Sequence, residues 1–154
     1  MKQQAYVAGV GMTHFGKHLD TPLKALATEA MLLALQDAGL ESEALQAAYM
    51  ANAAGGLIVG QEMIPGQVAL RNMGVGGIPV VNIENACASA STAFNQASAM
   101  ITAGFYDVVM VIGFEKLYHE DNRRNFAAFS SAVDVEDPAG MQQRLTASCE
   151  SMGI

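Results

Sequence analysis

Residues 78–113, IPVVNIENACASASTAFNQASAMITAGFYDVVMVIG, decide the fold. Ile78 to Ile83 reads as a strand, with Pro79 near its start, where a missing ladder donor matters least. Asp107 to Gly113 is a near-continuous apolar strand of the kind found inside a parallel sheet. Between them Ala90, Ala93, Phe94, Ala97, Met100 and Ile101 recur at helical spacing, and Gly104 closes the run. The side chains of this helix are small, so it can pack very closely on a helix or a sheet. Strand, helix and strand in this order make a βαβ unit with parallel strands.

The same alternation extends towards the amino terminus. Tyr6 to Gly11 is short and β-prone and reads as a first strand, followed by a loop through Phe15 and Gly16. Thr21 is a candidate N-cap with Pro22 at the first helical position. Leu23, Leu26, Ala27, Ala30, Met31, Ala34 and Ala38 then form an apolar stripe that Gly39 ends. Ala47 to Ala54 is apolar but poor in β-branched residues, so its period separates neither strand from helix, and Gly55-Gly56 ends it. Pro65-Gly66 opens a short helical stretch over Gln67 to Met73. The expected architecture is an α/β layer fold.

Beyond Phe114 the period is lost, and His119-Glu120-Asp121 and Arg123-Arg124 cluster the charge. We divide the chain into a core over residues 1–116 and an incomplete excursion over 117–154, partly helical from Pro138. With 154 residues, 51 % of them hydrophobic and 15 % charged, the chain suits one domain and excludes disorder. No apolar run approaches the roughly 20 residues of a membrane span. Scattered charges summing to −7 lack the basic stripe of a nucleic-acid binder. The opening Met1 to Ala5 runs into the first strand without a signal h-region. Cys87 and Cys149 form no CxxC, disulfide framework or zinc site. The expectation is a cytoplasmic, thiol-reduced chain whose excess apolar surface is buried against a partner or a further part of a larger protein.

Cys87 is the leading candidate for chemistry. It follows a strand and a brief turn, and it would sit at the amino end of a helix, where free N–H groups and the helix dipole favour an anion. Such an elbow also projects from the carboxyl end of the sheet, where open α/β folds bind ligands. The alternative is a small buried hydrophobe, as many free cysteines are. His14, in the loop after the first strand, is a geometrically feasible base for the thiol, or else a solvated loop residue like His18. His119 sits among charges and is expected to be exposed. Cys149 has no helix-start context. Gly9-Val10-Gly11 has His14 in the third glycine place of a GxGxxG loop, and Gly74-Val75-Gly76-Gly77 precedes a strand instead of following one, so both read as turns.

Three stretches carry a resemblance. Val7-Ala8-Gly9-Val10-Gly11-Met12-Thr13-His14-Phe15 resembles the opening of thiolases of the sterol-carrier-protein type. Asn82 to Ala93, NIENACASASTA, resembles the segment around that family's acyl-accepting cysteine. Val111-Ile112-Gly113-Phe114-Glu115-Lys116-Leu117 is similar to its signature after the next strand. The likeness covers nearly the whole chain but only the amino-terminal half of a thiolase, and Met152-Gly153-Ile154 resembles the start of a run that continues in the loop region.

The resemblance implies a thiolase-like half domain: a mixed five-stranded sheet with helices on both faces, α/β/α/β/α in the full enzyme, with the helix after Cys87 buried between the halves. It implies an acetyl-CoA acetyltransferase-like acyltransferase of lipid metabolism. Cys87 would be acylated by an acyl-CoA, its backbone N–H would hold the thioester oxyanion, and the acyl group would pass to CoA or to a second thioester. CoA is then a substrate carrier, with no metal or redox cofactor and no cofactor-binding residues assigned. The activating histidine and second cysteine belong to the other half, so the isolated chain is expected to be inactive. The alternatives are a non-catalytic or half-site subunit of a heteromeric acyl-CoA complex, and a condensing enzyme or lyase of the same fold. Ala90 stands where many relatives have glycine, a mild change in a helical conformation. The implied partners are a second copy, paired across a two-fold axis through the 78–83 strand, and, as in some relatives, a small zinc-ribbon/OB-fold subunit.

Overall fold

The computed structural model describes residues 4–153. A three-stranded sheet organises it: β1 (Ala47–Ala51) lies between β2 (Val80–Ile83) and β3 (Val109–Gly113), and both pairings are parallel. The register places Ala48 beside Val80 and Met110, and Ala51 beside Ile83 and Gly113. β1 is the stretch whose period was ambiguous. All five of its residues are buried, because helices cover both faces of the sheet.

Strand alternation divides β1 between two cores. Ala48 and Met50 face a layer made by α1 (Leu23–Ala38) and α3 (Pro65–Asn72), with Leu23, Ala27, Met31, Leu35, Ala69 and Leu70 packed on them. Ala47, Tyr49 and Ala51 face α4 (Ser89–Thr102), which contributes Ala93 and Ala97. Met31 and Met50 are fully buried. Each such side chain contributes about 1.5–3 kcal/mol relative to exposure.

Several expectations are corrected. Residues 6–11 form no strand. Strand propensity is realised only against a ladder partner, and here the segment lies on α1. Gly9 touches Ala34 and Ala38, Gly11 touches Ala30, Leu33 and Ala34, and no side chain would fit at either contact. The Val10 N–H donates to Asp37 Oδ2 at 2.9 Å, while Tyr6, Val7, Val10 and Met12 point to solvent. Helix α1 begins one residue later than expected, with Pro22 at the N-cap and no side-chain cap from Thr21; Gly39, at φ +64°, ends it as expected. The glycine pair read as a terminator instead opens a five-residue helix, α2 (Gly55–Val59). Of the five-stranded mixed sheet implied for a complete half domain, the described residues form three strands. Helix α4 is buried on one face only: Ala90 and Phe94, both assigned to its apolar stripe, are exposed, Phe94 by 52 %.

Two further helices follow β3, α5 (Asn122–Ser130) and α6 (Pro138–Met152). α5 docks on α2 through buried Ala128 and a 3.0 Å hydrogen bond from Arg124 to the Ile58 carbonyl. α6, helical from Pro138 as expected, buries none of its residues. Ile154, the last residue of the run singled out at the carboxyl end, lies outside the described residues. No described helix is long and apolar enough to cross a membrane.

Candidate functional site

Parallel strands bring their carboxyl ends to one edge of the sheet. Beyond Ile83, at that edge, the chain turns through Glu84 and Asn85 into a single 3-10 turn, Ala86–Ala88, that leads directly into α4. Cys87 is the middle residue of this turn and is exposed, so the small-buried-hydrophobe reading fails. Ala86 takes φ +45°, a left-handed conformation that side-chain-bearing residues adopt at a cost.

Four neighbouring side chains hold the turn. Asn85 N–H donates to Ser89 Oγ at 2.8 Å, and the Ser89 hydroxyl donates to the Ala86 carbonyl at 2.7 Å. The Thr92 hydroxyl donates to the Ala88 carbonyl at 2.9 Å and accepts from Asn85 Nδ2 at 3.0 Å. Glu84 Oε1 accepts the Ala86 N–H at 2.6 Å. Ser89 is the one buried polar residue among the described residues. The series of Ser, Thr and Asn after the strand is therefore the internal scaffold of the elbow.

The adjacent signature, Gly113 to Lys116, binds three other segments to the same edge. Glu115 Oε2 accepts the N–H groups of Ala53 and Ala54, each at 2.9 Å, and Oε1 accepts Asn52 Nδ2 at 3.2 Å. Lys116 Nζ donates to the Thr21 carbonyl at 2.9 Å, and buried Phe114 fills the α1 side of the sheet. A side chain at Gly113 would place its Cβ 2.9 Å from that of Ala90, so glycine is what lets β3 meet the start of α4. These residues were quoted from the sequence only as part of a resemblance. The quoted hydrogen-bond partners of Glu115 and Lys116 lie roughly 60 residues or more away, out of reach of any local pattern.

Met50, Asn52, Glu62, Ile64, Asn82 and Glu84 contribute to a cleft of about 370 Å³ at the ends of β1 and β2. Cys87 is not in its lining; Glu84 belongs to both the cleft and the cysteine turn. No histidine joins Cys87. His14 is exposed, its backbone carbonyl is bound to His18 Nε2 at 2.7 Å, and no hydrogen bond joins its ring to Cys87. His119 is half-buried, contrary to expectation, because Nδ1 accepts the Asp121 N–H at 2.9 Å ahead of α5. Cys149 is an exposed thiol on α6. Among the described residues no three His, Cys, Asp or Glu side chains converge on a metal-sized site. Chemically, the edge offers an exposed thiol on a hydrogen-bonded turn with a cleft beside it, and no histidine among the described residues joins it.

The profile of the thiolase amino-terminal domain matches residues 5–147. Acetyl-CoA acetyltransferase of Methanocaldococcus jannaschii is 37 % identical over 130 residues, which are 84 % of this chain and 32 % of that protein. The chain thus spans about a third of the length of this curated relative. Two solved structures share the fold. The 3-oxoacyl-[acyl-carrier-protein] synthase III of Aquifex aeolicus superposes with a TM-score of 0.60 at 24 % identity, over 72 % of this chain and 35 % of the other. The Ltp2-ChsH2(DUF35) aldolase gives 0.55 at 27 % identity, over 69 % and 26 % respectively.

Proposed function

The chain belongs to the thiolase family, as its amino-terminal domain, and from that premise we propose that it is the half of an acyl-CoA acyltransferase that carries the nucleophile. The observation that supports this most is the exposed Cys87 on the short turn between the carboxyl end of β2 and the start of α4. In this reading the described residues up to 116 belong to the core that builds this elbow, and an excursion from it begins at residue 117.

In this reading the Cys87 thiolate adds to the carbonyl carbon of an acyl-CoA thioester. A carbon–sulfur bond forms, and the carbonyl electron pair moves to oxygen, where the Cys87 N–H donates to the oxyanion. Collapse of the tetrahedral intermediate expels CoA as thiolate and leaves an S-acyl cysteine. In thiolytic cleavage the thiolate adds instead to the 3-keto carbon of a 3-ketoacyl-CoA, and the C2–C3 bond breaks. The departing α-carbanion is protonated and leaves as acetyl-CoA, and CoA thiolate then takes the acyl group from Cys87. In condensation the acceptor of the S-acyl group is the deprotonated α-carbon of a second thioester. The family's activating histidine and second cysteine are not brought beside Cys87 here, so in this reading they come from the rest of the protein or from a partner chain. The isolated chain is accordingly inactive.

The test is acylation by acetyl-CoA in the complete enzyme, read by peptide mass spectrometry. The expected mark is one acyl group on Cys87, absent from a folded Cys87→Ala variant. Normal acylation of that variant would remove Cys87 from the mechanism. The likeness to a two-component aldolase favours a second reading, in which this fold works as a lyase with a small partner subunit. Supplying a 3-ketoacyl-CoA with CoA, and separately a 3-hydroxyacyl-CoA alone, distinguishes the two: thiolysis consumes the first, and carbon–carbon lyase activity consumes the second.

A further inference from the structure

We infer that Glu84 is the positioning residue of Cys87, acting through the backbone of Ala86. The inference rests on Cys87 being the nucleophile, and its test is independent of acyl transfer. Ala86 is one of two non-glycine residues with positive φ in the described chain, at +45°, and it immediately precedes the cysteine. An L-residue held there is strained and stays only where its surroundings impose it. Its N–H is the group that Glu84 grips, at 2.6 Å, while its carbonyl is taken by the Ser89 hydroxyl at 2.7 Å. The two bonds fix the peptide groups on either side of the Ala86 Cα and so fix its φ and ψ. Ser89 is buried and locked in α4, whereas Glu84 is exposed and lines the cleft. Glu84 is thus the anchor that faces the solvent side of the turn. When it lets go, Ala86 relaxes to an ordinary φ and Cys87 leaves its place at the head of α4.

The mechanism predicts that glycine at 86, which adopts positive φ without strain, makes Glu84 dispensable. The experiment is the rate of Cys87 alkylation by iodoacetamide in the full chain, read by peptide mass spectrometry with Cys149 as the internal reference. Glu84→Gln keeps the accepting oxygen and removes only the charge, so it is the control for the electrostatic effect of the carboxylate on the thiol. Glu84→Ala should react about three- to tenfold more slowly than Glu84→Gln, the span expected when one hydrogen bond no longer opposes the strain. Adding Ala86→Gly to Glu84→Ala should restore the Glu84→Gln rate. Equal rates for the Ala and Gln variants, or no rescue by glycine, would overturn the proposal. Should Glu84→Ala fail to fold, comparison of Glu84→Ala/Ala86→Gly with Glu84→Gln/Ala86→Gly decides, since the two must then react alike. Failure of acetyl-CoA to acylate Cys87 would sink the acyltransferase reading while leaving these rates unchanged.

Discussion

A methyl group added at position 113 would meet the methyl of Ala90 at 2.9 Å. Gly113→Ala should therefore cost about 1–3 kcal/mol by overpacking, measured by urea denaturation. Combining it with Ala90→Gly should recover part of the loss, because the two positions share one space. Glu115 holds the backbone of Ala53 and Ala54, and Glu115→Ala should cost about 2 kcal/mol, as charge-assisted hydrogen bonds do. The same melts check both. The place of Cys87 on a turn between β2 and α4 was legible at this scale because a strand, a short turn and a helix start are local in sequence. Glu115 was not, since its partners are 61–62 residues away and nothing near it in the chain marks the pairing. The exposure of Phe94 was equally hidden: helical spacing gives the face of α4 but not whether a second layer covers it.

Among the elements, α5 is held at its start by a compact charge cluster. Asp121 is the N-cap residue: Oδ1 accepts the Arg123 N–H at 3.1 Å and Arg123 Nε at 3.0 Å, and Oδ2 pairs with the guanidinium at 2.9 Å. The hydrogen bonds from Arg123, side chain first and backbone next, lower the Asp121 carboxyl to about 2. A folded-state value below the unfolded one stabilises the cap at all higher pH, and that contribution is lost as pH falls from about 4 to 2. Amide chemical shifts of Arg123 and Arg124 should move together in that window and not above it. Helix α6, with no buried residue, should exchange its amides far faster than α1, a contrast that hydrogen-exchange mass spectrometry reads directly. The amphipathic stripe of α1 and the apolar run of β3 were readable because each carries its own period. The strand expected over 6–11 and the helix α2 fail for complementary reasons. The first has the right residues and no ladder partner; the second has two glycines that local propensity counts against a helix, yet buried Gly55 packs closely on Leu23.

At the scale of the molecule, β2 is an edge strand of the described sheet, with Val81 38 % exposed, and the outer face of α4 leaves Phe94 uncovered, while Phe105, just past the helix, is exposed as well. Apolar surface of this kind drives association. We expect a homodimer at least, formed along the β2 edge, with further self-association over the α4 face. Light scattering at low micromolar concentration checks this, and a well-behaved monomer would refute it. The all-parallel sheet has one more consequence, for the order in which the protein can form. Among the described residues every strand partner is distant: Ala48 meets Val80 and Met110, and no hairpin supplies an early contact. The central strand is made before either of its neighbours. On a ribosome its five buried residues must wait, unpaired, until β2 and then β3 have emerged. Sheets closed by such long loops fold slowly and leave apolar strands open in the meantime, so this chain will lean on chaperones during its synthesis more than a hairpin-built domain of equal size would.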